Sequence, residues 1–332
     1  MTNETEEQLQ RLVKNSPKEF LRPEEKMAIK NQLIDFIKQH PVKNNVTTQG
    51  FWALVSAMFG QKTAMRSLSL AAACLLVTSG GIAFAAQQAL PGDLLYSVKT
   101  GISEKILALT LFSDQAKAEY NINLAQLRLQ ETESIAYQDK LDNKTSAEVR
   151  GLLHDHIANI QNRIANIKSK EKERIAIELN SNLEALLKAH GKVLDGLAEK
   201  NQQNSSVVAI NSVLLEVKTK TDETIKNRQS NEADFSLQIS DTVQINADEK
   251  FQELQLALEE AVQLADAKKS AISELTYQKL KADLALAKQY SADGQQRLAV
   301  KDYTGAYIFF QNALTIAKEV HIYTKVEGSL LK

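Results

Sequence analysis

Apolar and polar residues follow a helical period along most of this chain. Leu153, Ile157, Ile160, Ile164 and Ile167 step by four and three, a seam like that of a coiled coil. Leu179, Leu183, Leu186, His190, Val193 and Leu197 repeat the pattern. Val207, Ile210, Leu214 and Val217 do so again after the polar break NQQNSS at 201–206. Phe251, Leu254, Leu258, Ala261 and Ala265 resume it. Breaks this short predict long helices packed antiparallel. Ser113 is placed to cap a helix entered at Asp114, and Thr145 with Glu148 reads as a capping box. His190, beside Gly191, reads as a packed side chain near a helix break. The stretch AKAEYNINL alternates like a strand, but Ala, Lys, Glu and Asn are poor strand formers. Tyr120, Leu124 and Leu127 share a helical face, and helix is expected there. Residues 231–249 interrupt the period: Phe235, Leu237 and Ile239 alternate, as do Val243 and Ile245. They read as an extended linker or a small β-hairpin.

One run has a different character. From Leu68 to Ala86 no residue is charged, and such a run spans about 28 Å as a helix, close to the thickness of a hydrocarbon core. With Gln87 and Gln88 at the interface it extends to Leu90. Lys62 and Arg66 precede it, and the next basic residue is Lys99. Residues before the run carry net +3 and those after it net −4. The positive-inside rule then predicts a single-pass anchor with a cytoplasmic N-terminus and everything beyond residue 90 outside. A cleaved signal peptide ending at Ala83-Phe84-Ala85 would need an n-region far longer than usual. Cys74 is a poor lipoprotein acceptor, because most of the apolar stretch follows it. A buried core helix seldom runs this long without charge. Gly81, Ala85 and Ala89 recur every four residues, which suits either close packing of two copies in a homodimer or a plain Ala-rich membrane helix.

Upstream, Pro23 opens a predicted helix that runs to Gln39, where His40-Pro41 stops it. Ile29, Leu33 and Phe36, with Ile37 alongside, form its apolar face. A shorter helix covers Glu6 to Lys14, PVKNNVTTQG reads as a linker, and Phe51–Phe59 suits a membrane surface. Some sixty residues bury little core alone. Ile29, Leu33, Phe36 and Ile37 are therefore candidate contacts for a cytoplasmic protein partner, with packing of the two helices on each other as the alternative.

Composition narrows the chemistry. The 40 Lys+Arg and 41 Asp+Glu give no bulk reason for nucleic-acid binding, and one Cys excludes a disulfide scaffold or a Cys-based zinc site. His154 and His156 are two apart and point to different helix faces, whereas a helical metal pair needs a spacing of three or four. No phosphate loop and no G-x-S-x-G elbow occurs. The carboxylates read as solvent faces among Lys partners. A non-enzyme with no cofactor and no metal is expected. Near the C-terminus Asp302-Tyr303, Ala306, Phe310, Ala313 and Leu314 match the second half of a tetratricopeptide unit. The alternative is an αα-hairpin between helices at 273–290 and 304–320.

The stretch Ala89-Leu90-Pro91-Gly92-Asp93-x-Leu95-Tyr96-x-x-Lys99 directly follows the apolar run. Ser113, Ala118-Glu119 and Leu124-Ala125-x-x-Arg128-Leu129-x-Glu131 come next. This pattern resembles the bacterial domain-of-unknown-function family 5667. The resemblance implies an outer domain of a single-pass inner-membrane protein, some members being similar to anti-sigma factors that hold a sigma factor through a short cytoplasmic region. It also implies that the turn at Leu90, Pro91, Gly92 and Asp93 fixes the angle at which the outer domain leaves the membrane, with Tyr96 at headgroup depth and Lys99 completing the motif. The zinc-binding anti-sigma type uses a His and paired Cys, while residues 1–67 hold no Cys and only His40. A metal-free helical grip would remain.

The expected molecule is all-α. It has a cytoplasmic segment at 1–67, a transmembrane helix at 68–90, an outer helical bundle at 91–230, a linker or hairpin at 231–249, and a C-terminal helical hairpin region at 250–332. The leading functional expectation is a non-catalytic, anti-sigma-like signalling regulator with the bilayer and a cytoplasmic protein as partners. A scaffolding envelope protein with a cytoplasmic tether is the alternative.

Overall fold

Ser113 takes an extended backbone and its Oγ accepts the Ala116 amide at 3.0 Å, starting a long helix where the sequence places it. The computed structural model describes residues 86–168, 172–236 and 242–330, and among these there is no strand. The order is α1 (Tyr96–Val98), a π-helical stretch (Lys99–Ser103), α2 (Glu104–Leu109) and α3 (Asp114–Tyr137). Then follow α4 (Asn143–Lys168), α5 (Glu173–Lys200), α6 (Val207–Ser236), α7 (Thr242–Ala267), α8 (Glu274–Ala299) and α9 (Tyr303–Leu330). The all-α expectation holds for the described residues.

The seams become the core. Leu153, Ile157, Ile160, Ile164 and Ile167 of α4 are all buried, as are Leu179, Leu183, Leu186, Val193 and Leu197 of α5. The pairs α3/α4, α5/α6 and α8/α9 pack on each other across short loops, which makes each a hairpin, and α7 packs as extensively on α9. One apolar cluster joins α3, α4, α5 and α6; a second joins α7, α8 and α9. Three helices belong to both. Ile177 of α5 and Phe235 of α6 enter the second cluster, and Val326 near the end of α9 enters the first. The described helices accordingly make one compact unit, with no boundary at 231–249.

Several details differ from the sequence reading. Most of 231–249 is helical: α6 runs to Ser236 and α7 begins at Thr242. Phe235 itself is helical and docks on Tyr307 with ring centroids 5.1 Å apart, while Leu237 and Ile239 lie outside the described residues. Helix α4 starts before Thr145: the Asp142 carboxylate accepts the Thr145 amide at 2.7 Å, so Asp142 caps and Thr145 lies in the first turn. Helix α5 continues through Gly191 without a break. Gly191 faces α6, where a Cβ would make an ordinary contact 3.5 Å from Val217 Cγ1.

The C-terminal αα-hairpin is present. Ala306, Phe310, Ala313 and Leu314 are fully buried. Its turn closes with Lys301 in the left-handed region at φ 61°, and α9 packs against α7 and α5 as well as α8. Among the described residues no helix is long and apolar enough to cross a membrane. The helices expected at 6–14 and 24–39, the face of Ile29, Leu33, Phe36 and Ile37, and the run from Leu68 to Ala85 lie outside the described residues. The end of that run is described, and helical backbone stops at Gln87. Ala86 and Ala89 are buried, while Gly81 and Ala85 of the small-residue stripe lie outside the described residues.

Candidate functional site

Residues Leu90 to Asp93 form a tight turn. The Asp93 amide donates to the Leu90 carbonyl at 3.0 Å, and the Asp93 carboxylate accepts the Leu90 amide at 2.8 Å. Pro91 suits the first corner, and Gly92 at φ 96° supplies the second, a conformation costly for any residue with a Cβ. Thr145 Oγ1 would lie 3.6 Å from a Cβ at Gly92, so the turn sits beside the first turn of α4. The turn hands the chain directly to α1 and the π-helical stretch.

That stretch changes which side chains face inward. In an unbroken α-helix the eight steps from Tyr96 to Glu104 would rotate about 80° past two full turns. A π-helical turn absorbs one extra residue and brings Glu104 back toward the Tyr96 face. Tyr96, Lys99 and Glu104 then meet Arg128 and Glu131 of α3. Glu131 accepts from the Tyr96 hydroxyl at 3.0 Å and from Arg128 Nη1 at 2.6 Å, and its other oxygen pairs with the Lys99 ammonium. Lys99 also donates to the Ala89 carbonyl at 3.1 Å. Arg128 lies over the Tyr96 ring at 5.1 Å, and its second terminal nitrogen pairs with Glu104. Two cations and two anions balance.

Burial gives this clamp its strength. Tyr96 is 1% exposed and Arg128 fully enclosed. Burial pushes the Tyr96 hydroxyl well above its ordinary range, against the pull of Arg128, so it stays protonated as a donor. Burial also raises the Glu104 carboxyl, opposed by the Arg128 guanidinium. The Tyr96 ring and hydroxyl are consumed within the helical unit. The motif residues Leu90, Pro91, Gly92, Asp93, Tyr96 and Lys99 are brought together, and Arg128 and Glu131 complete them.

Sequence reasoning missed two further polar centres. Glu133 and His190 are fully buried, with Nδ1 2.7 Å from the carboxylate. Burial raises the Glu133 carboxyl, opposed by His190. Arg228 of α6 reaches Glu184 of α5 at 2.6 Å, Asn312 of α9 at 2.7 Å, and Glu232. The expectation that carboxylates occupy solvent faces therefore fails for Glu131, Glu133 and Glu184, all buried. The available signal was an Arg and two Glu among the core-spaced residues of α3, where period analysis weighs only apolar positions. Beside Arg228, a cleft of about 670 Å³ opens between α5, α6, α8 and α9. Its Lys192 is already spanned by Asp283 and Glu319 at 2.8 and 2.7 Å.

His154 and His156 do lie on opposite faces. His154 points to Glu216 at the surface, while His156 turns inward with Nδ1 3.2 Å from Asn121 Oδ1. Among the described residues no three metal-ligating side chains cluster. The clamp has the character of a fixed junction: its charged groups pair with one another, and only Arg128 Nε is buried there without a hydrogen-bond partner. Compared with known proteins, the sequence matches no family model, no curated protein and no solved structure.

Proposed function

We propose that this chain is a non-catalytic single-pass protein of a bacterial inner membrane, with residues 1–67 in the cytoplasm, the run from 68 in the bilayer and the helical unit outside. In this reading it is kin to domain-of-unknown-function family 5667 and acts as an anti-sigma-like relay. An event at the helical unit alters the hold of Ile29, Leu33, Phe36 and Ile37 on a cytoplasmic partner. The observation that supports it is the buried clamp of Tyr96, Lys99, Arg128 and Glu131. It ties the chain within a few residues of the apolar run to a long helix of the unit. A displacement of α3 would pass into that run without a slack linker between them.

The test uses the full chain, tagged at its C-terminus and purified from its own host, as wild type and with Leu33→Glu and Phe36→Glu together. Retention of a sigma factor by the wild type and its loss in the double variant is the expected result. Equal recovery from both would overturn the relay and leave a scaffolding protein with a cytoplasmic tether. An impermeant maleimide applied to intact spheroplasts fixes the topology: in a Cys74→Ser background, Ser205→Cys should label and Thr48→Cys should not.

A further inference from the structure

The clamp turns one side of the segment at 94–112 inward and leaves the other side without protein cover. Leu94 is 97% exposed and Phe112 72%, and Ile102, Ile106 and Leu107 are exposed between them. These are five of the thirteen exposed large hydrophobic residues among the described residues, gathered in one short segment; the others are spread over α3 and α6 to α8 and the turn after α8. With the extra residue of the π-helical stretch allowed for, Ile102 and Ile106 lie on the side of the helix away from Tyr96.

Charge is withdrawn from the same surface. Between Asp93 and Asp114 the chain carries three charged residues. Lys99 is paired with Glu131 and Glu104 with Arg128, both on the inner side. Lys105 is exposed, and among the described residues no carboxylate pairs with it. A face of Leu, Ile and Phe with a lone ammonium is the composition of an interfacial helix, apolar side down and the basic group at lipid phosphates. The position fits too: the uncharged run Leu68–Ala86 ends eight residues before Leu94.

We propose that residues Leu94 to Phe112 form a foot that lies on the outer leaflet of the bilayer, inserting Leu94, Ile102, Ile106, Leu107 and Phe112 among the acyl chains. This rests on the anchored reading above and deepens it. Tyr96, which the motif suggests for the interface, instead holds the foot to α3 from behind. The foot then sets the attitude of the helical unit on the membrane, and the clamp keeps that attitude rigid.

The test places an environment-sensitive fluorophore on the full chain in a Cys74→Ser background, at Ile106→Cys, Phe112→Cys, Leu215→Cys or Leu256→Cys. All four positions are exposed, and far-ultraviolet circular dichroism verifies that each variant keeps its helix content. Each is reconstituted into vesicles of phosphatidylethanolamine and phosphatidylglycerol, floated on a density gradient, and titrated with lipid carrying a doxyl quencher near the headgroup. The expected result is blue-shifted emission and strong quenching at 106 and 112, with neither at 215 and 256. Flotation with water-like, unquenched emission at 106 and 112 overturns the foot and leaves the anchor standing. Blue-shifted emission that the doxyl lipid does not quench overturns it in favour of protein cover, from a second copy or another partner. A chain that does not float fails the anchored reading, and the foot with it.

Discussion

Arg128 and Glu131 stand one turn apart on α3, and both are buried with Nη1 2.6 Å from Oε2. An i,i+3 pair at the surface contributes a few tenths of a kcal/mol; here it is the centre of a network that reaches Tyr96, Lys99 and Glu104. The desolvation of four charges is offset only while all of them remain.

Removing one anion from this network should therefore cost far more than trimming a neutral member. Glu131→Gln leaves Lys99 and Arg128 short of their counter-charge, and a loss of about 3–5 kcal/mol is expected. Tyr96→Phe keeps the ring under Arg128 and loses only hydroxyl hydrogen bonds, about 1 kcal/mol. Urea unfolding followed by circular dichroism measures both, and limited proteolysis between residues 94 and 112 should accelerate chiefly for Glu131→Gln. Equal costs would mean that the clamp is held by the ring and not by charge.

Two glycines should answer differently to the same added methyl. A Cβ at Gly294 would lie 2.5 Å from Phe310, whose ring is fully buried between α8 and α9. Gly294→Ala is expected to destabilise by about 1–3 kcal/mol through overpacking. At Gly151 nothing lies within 4 Å, and Gly151→Ala should stabilise by about 0.5–1 kcal/mol through helix propensity alone. Thermal melts of the two variants should move in opposite directions.

Stability should fall as pH drops from 6.5 towards 4, in part because of His156. Burial, helped by the nearby Arg128 charge, lowers its pKa from 6.5 to about 4. Between those values the unfolded chain binds a proton that the folded chain refuses, so unfolding becomes easier as pH falls and the full contribution is present above 6.5. His156→Gln removes the titration, and its urea midpoint should change less than the wild type's between pH 4.5 and 7. Parallel profiles would place the pH dependence on other groups.

Arg228 joins helices from both apolar clusters through Glu184, Glu232 and Asn312. Arg228→Ala leaves Glu184 buried with Lys188 alone and should cost about 3 kcal/mol. Arg228→Lys keeps the charge without the fork and should fall between the two. Hydrogen exchange resolved by peptide should show the largest gain in the part of α9 around Asn312. A uniform change along the chain would deny the tie that role.

Helices, caps and breaks were legible in the sequence because they depend on neighbours three or four residues away. The seam of α4, the serine cap at 113 and the break at 201–206 are local facts, and the structure keeps them. The turn at Leu90 to Asp93 was legible for the same reason: Pro and Gly restrict or free their own backbone. Where polar groups find partners is not local. Lys99 meets Glu131 across 32 positions and His190 meets Glu133 across 57. No period records which of many carboxylates will be enclosed. The helical fate of 231–236 goes with Phe235 docking on Tyr307, and the role of Tyr96 was decided by an arginine on another helix. Pairing that offsets desolvation exists only once the helices have packed, and the tertiary structure alone decided it.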